Sequence, residues 1–261
     1  LDGIRNNATM YMGELGENMA YRAIKEPVDN SYDEALAKRN KLIEVVLNLD
    51  SNFYIVADGA GGIPVEMKVL KDKTKISTLT AAFTRVHAGG KFNDKSYKVS
   101  AGTHGVGVAA LNAVSEKLQV WTRRSGVLYT QSFAKGEIVG SETPTKVKAI
   151  PPETAKYLVD DQKVYGTVIH YVLDQSVVSA DAMRDKRKQT KNLTVAQPDP
   201  KKVATWLATM ADLNPGLKIR LTLIRGKKTI NREYLNKDNL ETYVKKLVAK
   251  SELGSFGKPL V

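Results

Sequence analysis

The sequence predicts an α/β protein of the two-layer α+β type, in which a mixed, largely antiparallel sheet carries helices on one face. Helix and strand patterns alternate along the 261 residues, as is typical of such folds. Residues 42–49 and 53–58 alternate at period two across an Asp-Ser-Asn turn, which predicts a hairpin. Because hairpin-linked strands run antiparallel, they argue against an all-parallel, doubly wound sheet.

The remaining elements follow from local patterns. A helix is expected over 14–38, and the small and apolar run "VGVAALNAVSEKL" at 106–118 is typical of a buried helix. A helix near 201–213 is entered through Pro-Asp-Pro and closed by Asn-Pro-Gly, and another is expected near 237–250. Further strands are predicted at 118–123, 127–133, 166–173 and 217–225.

Composition limits the class of protein. With 42% apolar residues the chain can bury a core as one large domain, or as one domain with an appendage. The net charge of +12 favours polyanionic partners such as nucleotides or DNA. The absence of cysteine excludes disulfides and thiolate metal sites, and it fits a reducing compartment. No apolar run approaches a membrane span and no signal-like segment opens the chain, so we expect a cytoplasmic protein without a membrane partner.

A first candidate cluster lies on the helix expected over 14–38. Residues three or four apart share a helix face, so Glu26, Asn30 and Asp33 form one polar line. A solvated face is the ordinary alternative. Pro27 lies beside Glu26 and removes one helical hydrogen bond, at roughly 3 kcal/mol, which favours a functional irregularity over an ordinary surface.

A second cluster follows a predicted strand, in "VADGAGGIP" at 56–64. Asp58 ends the strand and is followed by glycines, a combination that a plain turn also explains. In the functional alternative, the carboxylate accepts a hydrogen bond from an exocyclic amine such as that of adenine. Gly61 and Gly62 would then let a planar ligand approach the backbone.

A third cluster is the glycine-rich segment at 87–107. Gly102, Gly105 and Gly107 precede a predicted helix, and backbone N–H groups at a helix N-terminus bind phosphate. Lys91 and Lys98 add positive charge. The sequence therefore predicts an anion site here.

Other sites fit the sequence poorly. The run "GVGVAA" satisfies the dinucleotide pattern G-x-G-x-x-A, but it lacks the acidic residue expected about 20 positions later. No G-x-x-x-x-G-K-[ST] segment is present, which excludes a P-loop. The histidines at 87, 104 and 170 have no metal-ligand spacing, so we expect packed or hydrogen-bonded histidines and no metal site built by protein ligands alone.

In this order, the three clusters resemble the GHKL ATPase superfamily, which unites gyrase, a heat-shock chaperone, histidine kinases and mismatch-repair proteins. The local sequence is similar to that of the ATPase domain of the B-type subunit of bacterial and phage type IIA DNA topoisomerases. The segments that carry the resemblance are "IRNNATMYMG" (4–13), "EPVDNSYDEAL" (26–36), "HAGGKF" (87–92), "YKVSAGTHGVG" (97–107) and "GTVIHY" (166–171). The resemblance is dense over 1–173, continues more thinly to about 250, and implies the Bergerat-type ATP-binding fold.

The resemblance assigns roles to individual residues. Glu26 matches the general base that activates the attacking water, and Asn30 matches the Mg²⁺ ligand at the triphosphate. Asp58 matches the carboxylate that binds the adenine amine, and Thr167 the threonine that supports it through water. Arg124 matches an arginine that aminocoumarin inhibitors contact.

The remaining positions of the implied ATP site fall into two groups. The lid contacts the nucleotide through Lys91 and Tyr97. Further cofactor-binding positions, which surround the phosphates and the adenine, are Asp33, Gly62, Ile63, Gly102, Thr103, His104, Gly105, Val106 and Gly107.

The resemblance implies an ATP-hydrolysing domain over 1–253, whose nucleotide-driven dimerisation gates DNA strand passage in the complete enzyme. Residues 176–198 read as a basic insertion, for which a solvated loop is the alternative, and 254–261 as the start of a linker to a transducer domain. The implied cofactors are ATP and Mg²⁺. The implied partners are DNA, an A-type cleavage subunit and a second copy of the B-type subunit, whereas this fragment alone is expected to be monomeric.

Some positions depart from the family pattern. The usual D-x-G-x-G turn with arginine at its fourth position has Ala60 in place of a glycine and Gly61 in place of that arginine. Pro27 replaces a β-branched residue, and Ala101 a glycine of the lid. These changes leave an alternative function open, in which the domain binds ATP as a dimerisation switch and hydrolyses it weakly or not at all.

Overall fold

The computed structural model describes residues 1–69, 73–86, 106–181, 194–238 and 240–250, with backbone only for 246–250. Helices cover about a third of these residues. Their bounds are α1 Asp2–Asn6, α2 Ala8–Met12, α3 Glu17–Leu36, α4 Thr78–Thr84, α5 Gly107–Ala113, α6 Pro152–Ala155, α7 Gln175–Val178, α8 Pro200–Leu213 and α9 Leu240–Lys250.

The strands form one large sheet and one small hairpin. Their bounds are β1 Leu42–Asn48, β2 Phe53–Asp58, β3 Met67–Val69, β4 Lys75–Ser77, β5 Ser115–Arg124, β6 Val127–Ala134, β7 Glu137–Val139, β8 Thr145–Val147, β9 Thr167–Leu173, β10 Lys218–Arg225 and β11 Lys228–Leu235. In the described chain the large sheet has nine strands in the order β11-β10-β1-β2-β9-β5-β6-β7, with β8 paired to β6. β1 and β10 are parallel, and the other pairs that the structure describes are antiparallel, which confirms the mixed, largely antiparallel sheet.

The principal core lies between the sheet and the longer helices. Alternate residues of the central strands, such as Tyr54, Val56 and Tyr171, point to this side, where α3 and α8 supply apolar side chains such as Ile24 and Leu207. All five are buried. Because apolar burial is the main stabilising term in folding, this layer fixes where α3 lies relative to the ends of β2 and β9.

The opposite face of the sheet is covered by residues 147–165, which include the short α6. Trp121 and Ile150 are buried in this second cluster. A fully buried carboxylate, Glu44 of β1, anchors the covering segment by accepting hydrogen bonds from the Tyr165 hydroxyl and from the Val159 N–H, the latter at 2.9 Å. Burial raises the pKa of Glu44, although these bonds and Arg220 oppose the change.

Most of the predicted elements are present. The helix expected over 14–38 is α3, and the hairpin expected over 42–58 is formed by β1 and β2 in a continuous register. The helix expected over 106–118 is wrong beyond Ala113, because Ser115 already pairs with Leu173 as the first residue of β5. β11 was not predicted, since its residues 228–233 are all exposed and show no apolar alternation.

Pro27 lies inside α3 without ending it. A proline has no N–H, so the Ala23 carbonyl lacks its usual helical donor. The hydroxyl of the buried Tyr171 on β9 donates to this carbonyl at 3.1 Å. The sheet therefore supplies the hydrogen bond that the proline removes.

Candidate functional site

Three polar side chains lie in a row across the ends of three neighbouring strands. Asp58 of β2 is paired with Thr167 of β9, which is paired in turn with Thr122 of β5. Strand alternation directs Asp58 to the same face as Val56, toward α3. All three polar residues are buried side by side on the face that packs against α3, which marks this end of the sheet as a candidate site.

Asp58 is held by donors from two elements. Its Oδ2 accepts a hydrogen bond from the Ser31 hydroxyl of α3 at 2.8 Å, and its Oδ1 accepts one from the Ala60 N–H at 3.0 Å. Burial raises the pKa of Asp58 from 3.8 to about 6. The two hydrogen bonds act against this rise, and the negative charge of Glu34 adds to it. Near pH 7 Asp58 is therefore a buried, largely ionised acceptor.

The turn after Asp58 packs tightly against β5. The Thr122 hydroxyl accepts from the Ile63 N–H at 2.7 Å and lies 3.1 Å from the Ile63 carbonyl oxygen. Gly62 has φ +76°, and a Cβ there would collide with the Arg123 carbonyl oxygen. Gly62 is thus required by protein packing, a reason that differs from the ligand approach expected from the sequence.

Gly166 is the second position of this turn that excludes a side chain. A Cβ at Gly166 would collide with the Ala60 carbonyl oxygen. Its N–H donates to the Asp58 carbonyl at 2.8 Å. The side chain of Arg124 also holds the turn, because its Nη1 donates to the backbone carbonyl of Gly61 at 2.8 Å. Gly61 itself has space for a side chain, since a Cβ there would lie 3.7 Å from Arg124 Nη1.

A buried asparagine joins α3 to this turn. The Asn40 amide donates to the Ser31 carbonyl at 2.9 Å, and its Oδ1 accepts from the N–H groups of Leu42 and Gly59, both at 3.1 Å. Asn40, like Ser31 and Thr122, was not predicted as a site residue. Such polar residues are common in turns and helix surfaces, and only the tertiary structure shows which oxygen they contact.

Glu26 lies one and a half turns before Ser31 on α3, close to the start of α5. A Cβ at Gly107, the first residue of α5, would collide with Glu26 Oε2, so the glycine leaves room for this carboxylate. Arg22 Nε lies 3.5 Å from Glu26 Oε1. Burial, and to a lesser degree Asp29, raises the pKa of Glu26, whereas Arg22 and Lys25 oppose the rise. A raised pKa suits a carboxylate that accepts a proton.

The polar line predicted on α3 is only partly an open face. Asn30 is partly exposed, as is Glu26, whereas Asp33 is fully buried. Val106 caps the start of α5, immediately before Gly107. The predicted site residues that lie outside the described residues are Lys91, Tyr97, Gly102, Thr103, His104 and Gly105.

Other features of the described chain lie apart from this site. A groove of about 330 Å³ runs between the β3–β4 hairpin, α4 and the β6–β7 turn, and neither Asp58 nor Glu26 lines it. His170 packs on Phe53 and shares a 2.9 Å hydrogen bond with Thr154. Among the residues that the structure describes, no three His, Asp or Glu side chains are grouped so that they could hold a metal ion. The helices of these residues are too short or too polar to span a bilayer.

The arrangement places two chemical functions beside α3, one contributed by β2 and the other by the helix itself. At one end, Asp58 offers a buried acceptor for an N–H donor, beside the threonines of β5 and β9. At the other, Glu26 offers a carboxylate of raised pKa next to a helix that begins with glycine.

Comparisons with known proteins identify relatives of the chain. No protein-family model matches the chain. It is 36% identical over 204 residues to the B subunit of DNA gyrase from Borreliella burgdorferi, 73% of this chain and 32% of that protein. It is 30% identical over its whole length to the gyrase B protein of Enterococcus faecalis and 34% identical over 221 residues to that of Archaeoglobus fulgidus. The matches cover 35% and 30% of those two proteins, so the chain spans about a third of the length of these relatives.

A solved structure extends the likeness to the fold. A crystal structure of the 43K ATPase domain of Thermus thermophilus gyrase B, in complex with an aminocoumarin, matches with a TM-score of 0.69 and 25% identity. The match covers 99% of this chain and 57% of that chain. Fold and relatives together define an ATPase domain of the GHKL class. Within this class, the chain belongs to the gyrase B-type ATPase domains of type II DNA topoisomerases.

Proposed function

We propose that this domain binds Mg²⁺-ATP between α3 and the ends of β2 and β9, and that it hydrolyses the nucleotide with Glu26 as general base. The observation that carries the proposal is the placement of Asp58 and Glu26 on opposite ends of one α3-lined site, the first buried as an acceptor and the second beside Gly107.

The adenine end of the proposed site depends on Asp58. Its ionised carboxylate would accept a hydrogen bond from the exocyclic amine, while Thr167 lies beside it in register. Replacing a charged hydrogen-bond partner costs on the order of 1–3 kcal/mol, so Asp58→Ala should weaken ATP binding by about 5- to 150-fold. Calorimetry on this chain measures the change in affinity directly.

The metal end of the proposed site depends on Asn30. Carboxamide and carboxylate oxygens are ligands that Mg²⁺ accepts, and Asn30 lies one turn from Glu26 on a partly exposed stretch of α3. When bound, the ion neutralises charge on the phosphates. Asn30 would hold it there, and Asn30→Ala should therefore reduce the dependence of nucleotide binding on Mg²⁺.

The chemical step that we propose belongs to Glu26. Its carboxylate would take a proton from the attacking water, with Arg22 and Gly107 fixing its position. Because the pKa of Glu26 is raised, its base form is lost as the pH falls through that raised value, so turnover should decline on the acidic side earlier than for an ordinary carboxylate.

A non-hydrolysing ATP switch is less well supported. That alternative followed from Pro27 and from the altered glycine turn. α3 continues through Pro27, since Tyr171 supplies the missing hydrogen bond, and Glu26 stays within the helix. The turn at Gly61 is held by Arg124. The geometry therefore supports hydrolysis.

In the whole protein we propose the role of a type IIA topoisomerase subunit. Nucleotide-driven pairing of two such subunits would gate the passage of DNA, together with an A-type cleavage subunit. We assign residues 1–253 to the ATPase domain, with a basic insertion at 176–198 and a linker from 254, and we expect this fragment alone to remain monomeric with ATP analogues. The absence of cysteine supports a cytoplasmic location.

The decisive experiment separates binding from chemistry. In the full-length protein, Glu26→Gln should keep ATP affinity within several-fold and abolish turnover, because the amide keeps the shape of the side chain but cannot accept the proton. Glu14→Gln, on an exposed carboxylate outside the site, serves as the matched control. Hydrolysis that survives Glu26→Gln would remove the general base from the proposal.

An aminocoumarin inhibitor can test whether it and ATP bind at the same site. The Thermus thermophilus domain binds an aminocoumarin, and the corresponding contacts here would be Asp58 and Arg124. We expect binding of such a compound in competition with ATP, weakened because Arg124 is already engaged with the Gly61 carbonyl. Additive binding of the two in calorimetry would contradict the shared pocket.

A further inference from the structure

Ser31 lies between two hydrogen-bond acceptors at the purine end of the site. It is buried on α3, and its hydroxyl oxygen is 2.8 Å from Asp58 Oδ2 and 3.2 Å from the Pro27 carbonyl oxygen. A hydroxyl has one hydrogen and two lone pairs, so it donates to one of these oxygens at a time. The shorter distance makes Asp58 the favoured acceptor.

This arrangement satisfies Asp58 in either protonation state. When Asp58 is ionised, Ser31 donates to it. When Asp58 is neutral, its own O–H can donate to Ser31, whose hydrogen then turns to the Pro27 carbonyl. The other carboxylate oxygen faces the Ala60 N–H, which can only donate. Ser31 is thus the partner whose hydrogen bond depends on the ionisation of Asp58: it donates over 2.8 Å to the ionised carboxylate, and only over 3.2 Å to the Pro27 carbonyl when Asp58 is neutral.

We propose that Ser31 is a specificity-determining residue of the purine site, which by donating to Asp58 holds that carboxylate as an acceptor and so selects a 6-amino purine over a 6-oxo purine. The inference rests on the proposed binding of the nucleotide at Asp58. A 6-amino group donates to the carboxylate, whereas a 6-oxo group presents a second acceptor to it. Ser31 acts through Asp58 and is a positioning residue.

The groups around Asp58 set the direction of the expected effect. Burial and the charge of Glu34 on α3 raise the pKa of Asp58, while Ser31 and the Ala60 N–H lower it. Removing the Ser31 hydroxyl should therefore move the loss of selectivity to higher pH. Losing one hydrogen bond to a charged group should raise the pKa of that group, and with it the midpoint of the selectivity loss, by about one pH unit.

The test compares ATP with inosine triphosphate, which carries a 6-oxo group, both with Mg²⁺. Binding to this chain is measured by calorimetry between about pH 5.5 and pH 8, a range that brackets the Asp58 transition. The parent chain should prefer ATP and lose the preference as the pH falls. In Ser31→Ala the preference should disappear about one pH unit higher, and Ser31→Thr, which keeps a hydroxyl, should restore the parent profile.

Ser115→Ala is the matched control. Ser115 is also a buried serine with a hydrogen bond to a backbone carbonyl, that of Leu111 at 2.7 Å, but it lies outside the site. We expect its pH profile to coincide with that of the parent. An equal loss of affinity for both nucleotides in Ser31→Ala, with an unchanged ratio, would reduce Ser31 to a structural role and overturn the inference, as would an unchanged profile.

A readout without nucleotide separates this inference from the proposed function. The carboxyl carbon of Asp58 can be titrated by NMR in the parent and in Ser31→Ala. If the parent chain binds neither nucleotide, the proposed function fails. An NMR titration midpoint that does not rise in Ser31→Ala would show independently that Ser31 does not hold Asp58 as an acceptor.

Discussion

Gly107 is the residue on which the position of Glu26 most directly depends. A Cβ at this position would collide with Glu26 Oε2, the far end of a flexible side chain, so Gly107→Ala should leave the fold intact and displace the carboxylate. A displacement of about 1 Å can reduce catalysis about a hundredfold. We expect a loss of turnover of this order in the full-length protein, measured as steady-state ATP hydrolysis.

The control for this substitution is Gly3→Ala in α1, where an added Cβ meets no atom within 4 Å and the helical backbone is unstrained. It should leave turnover unchanged. If Gly107→Ala hydrolysed ATP at the parent rate, the contact between α5 and Glu26 would not matter for the reaction.

The buried charge of Asp58 should lower the stability of the folded chain. Its pKa is raised from 3.8 to about 6 in the folded state, so folding binds a proton between these values. Below pH 3.8 the carboxyl of Asp58 is protonated in the folded and the unfolded chain, so it does not lower the free energy of unfolding. The loss of stability grows as the pH rises from 3.8 to about 6 and is constant at higher pH. A rise in pKa of this size lowers the free energy of unfolding by about 3 kcal/mol at neutral pH.

Asp58→Asn should therefore stabilise the chain at pH 7.5 while it weakens ATP binding. The amide carries no charge but loses one of two accepted hydrogen bonds, which leaves a net gain of about 1–2 kcal/mol in the free energy of unfolding. Urea denaturation at pH 7.5 and pH 4 should show the gain shrinking at the lower pH. The exposed Asp2→Asn is the control, and a gain that is equal at both values would contradict the buried charge.

The sequence allowed prediction of the residues whose chemistry stands out locally, and not of those that support them. Glu26 stands beside a helical proline, which breaks a local rule, whereas Asp58 ends an apolar strand before glycines, as it also would in a plain turn. The family resemblance assigned the roles of both. Ser31, Asn40 and Thr122 break no local rule. Their roles come from contacts between residues that are distant in sequence, such as the 2.7 Å bond from Ile63 to Thr122.

At the scale of elements, the local patterns predicted the hairpin of β1 and β2 because alternation and turn chemistry act within a few residues. The parallel pairing of β1 with β10 joins Leu42 to Lys218, and no local signal encodes such a partner. The boundary of α5 was wrong because Val114 and Leu118 continue a helical spacing. The bulge between Ser115 and Lys117 changes the period at that point.

Pro27 and Tyr171 provide a prediction about two elements at once. Tyr171→Phe removes the hydroxyl that donates to the Ala23 carbonyl, which Pro27 leaves without a helical donor. We expect a loss of about 1–2 kcal/mol in the free energy of unfolding, measured with urea. In a Pro27→Ala background, where residue 27 regains its N–H, the same change should cost clearly less.

The difference between the two backgrounds is the test, because a double-mutant cycle cancels other effects of the tyrosine. Tyr243→Phe is a comparison at the surface, where the hydroxyl bonds to Asp212 at 2.8 Å, and it should not couple to Pro27. If Tyr171→Phe lowered the free energy of unfolding equally with and without Pro27, the sheet would not compensate for the hydrogen bond that the proline removes.

For the whole molecule, the net charge of +12 raises the question of where DNA would contact the domain. Two groups of four basic residues are available for a matched comparison. The first belongs to the proposed insertion and lies outside the described residues: Arg184, Lys186, Arg187 and Lys188. The second is exposed on the β10–β11 hairpin at the edge of the sheet: Arg225, Lys227, Lys228 and Arg232.

Neutralising either group removes the same charge, so a purely non-specific attraction should weaken equally in both variants. If the insertion forms a path for DNA, only its variant should bind duplex DNA less tightly and with a flatter dependence on salt. The slope of log affinity against log salt should fall by about 0.9 for each phosphate that the variant no longer neutralises. Fluorescence anisotropy over a salt series measures both quantities, and ATP binding should not change in either variant. Identical slopes in the two variants would show that the insertion contributes only charge, and a larger effect of the hairpin would move the proposed DNA surface to the sheet edge.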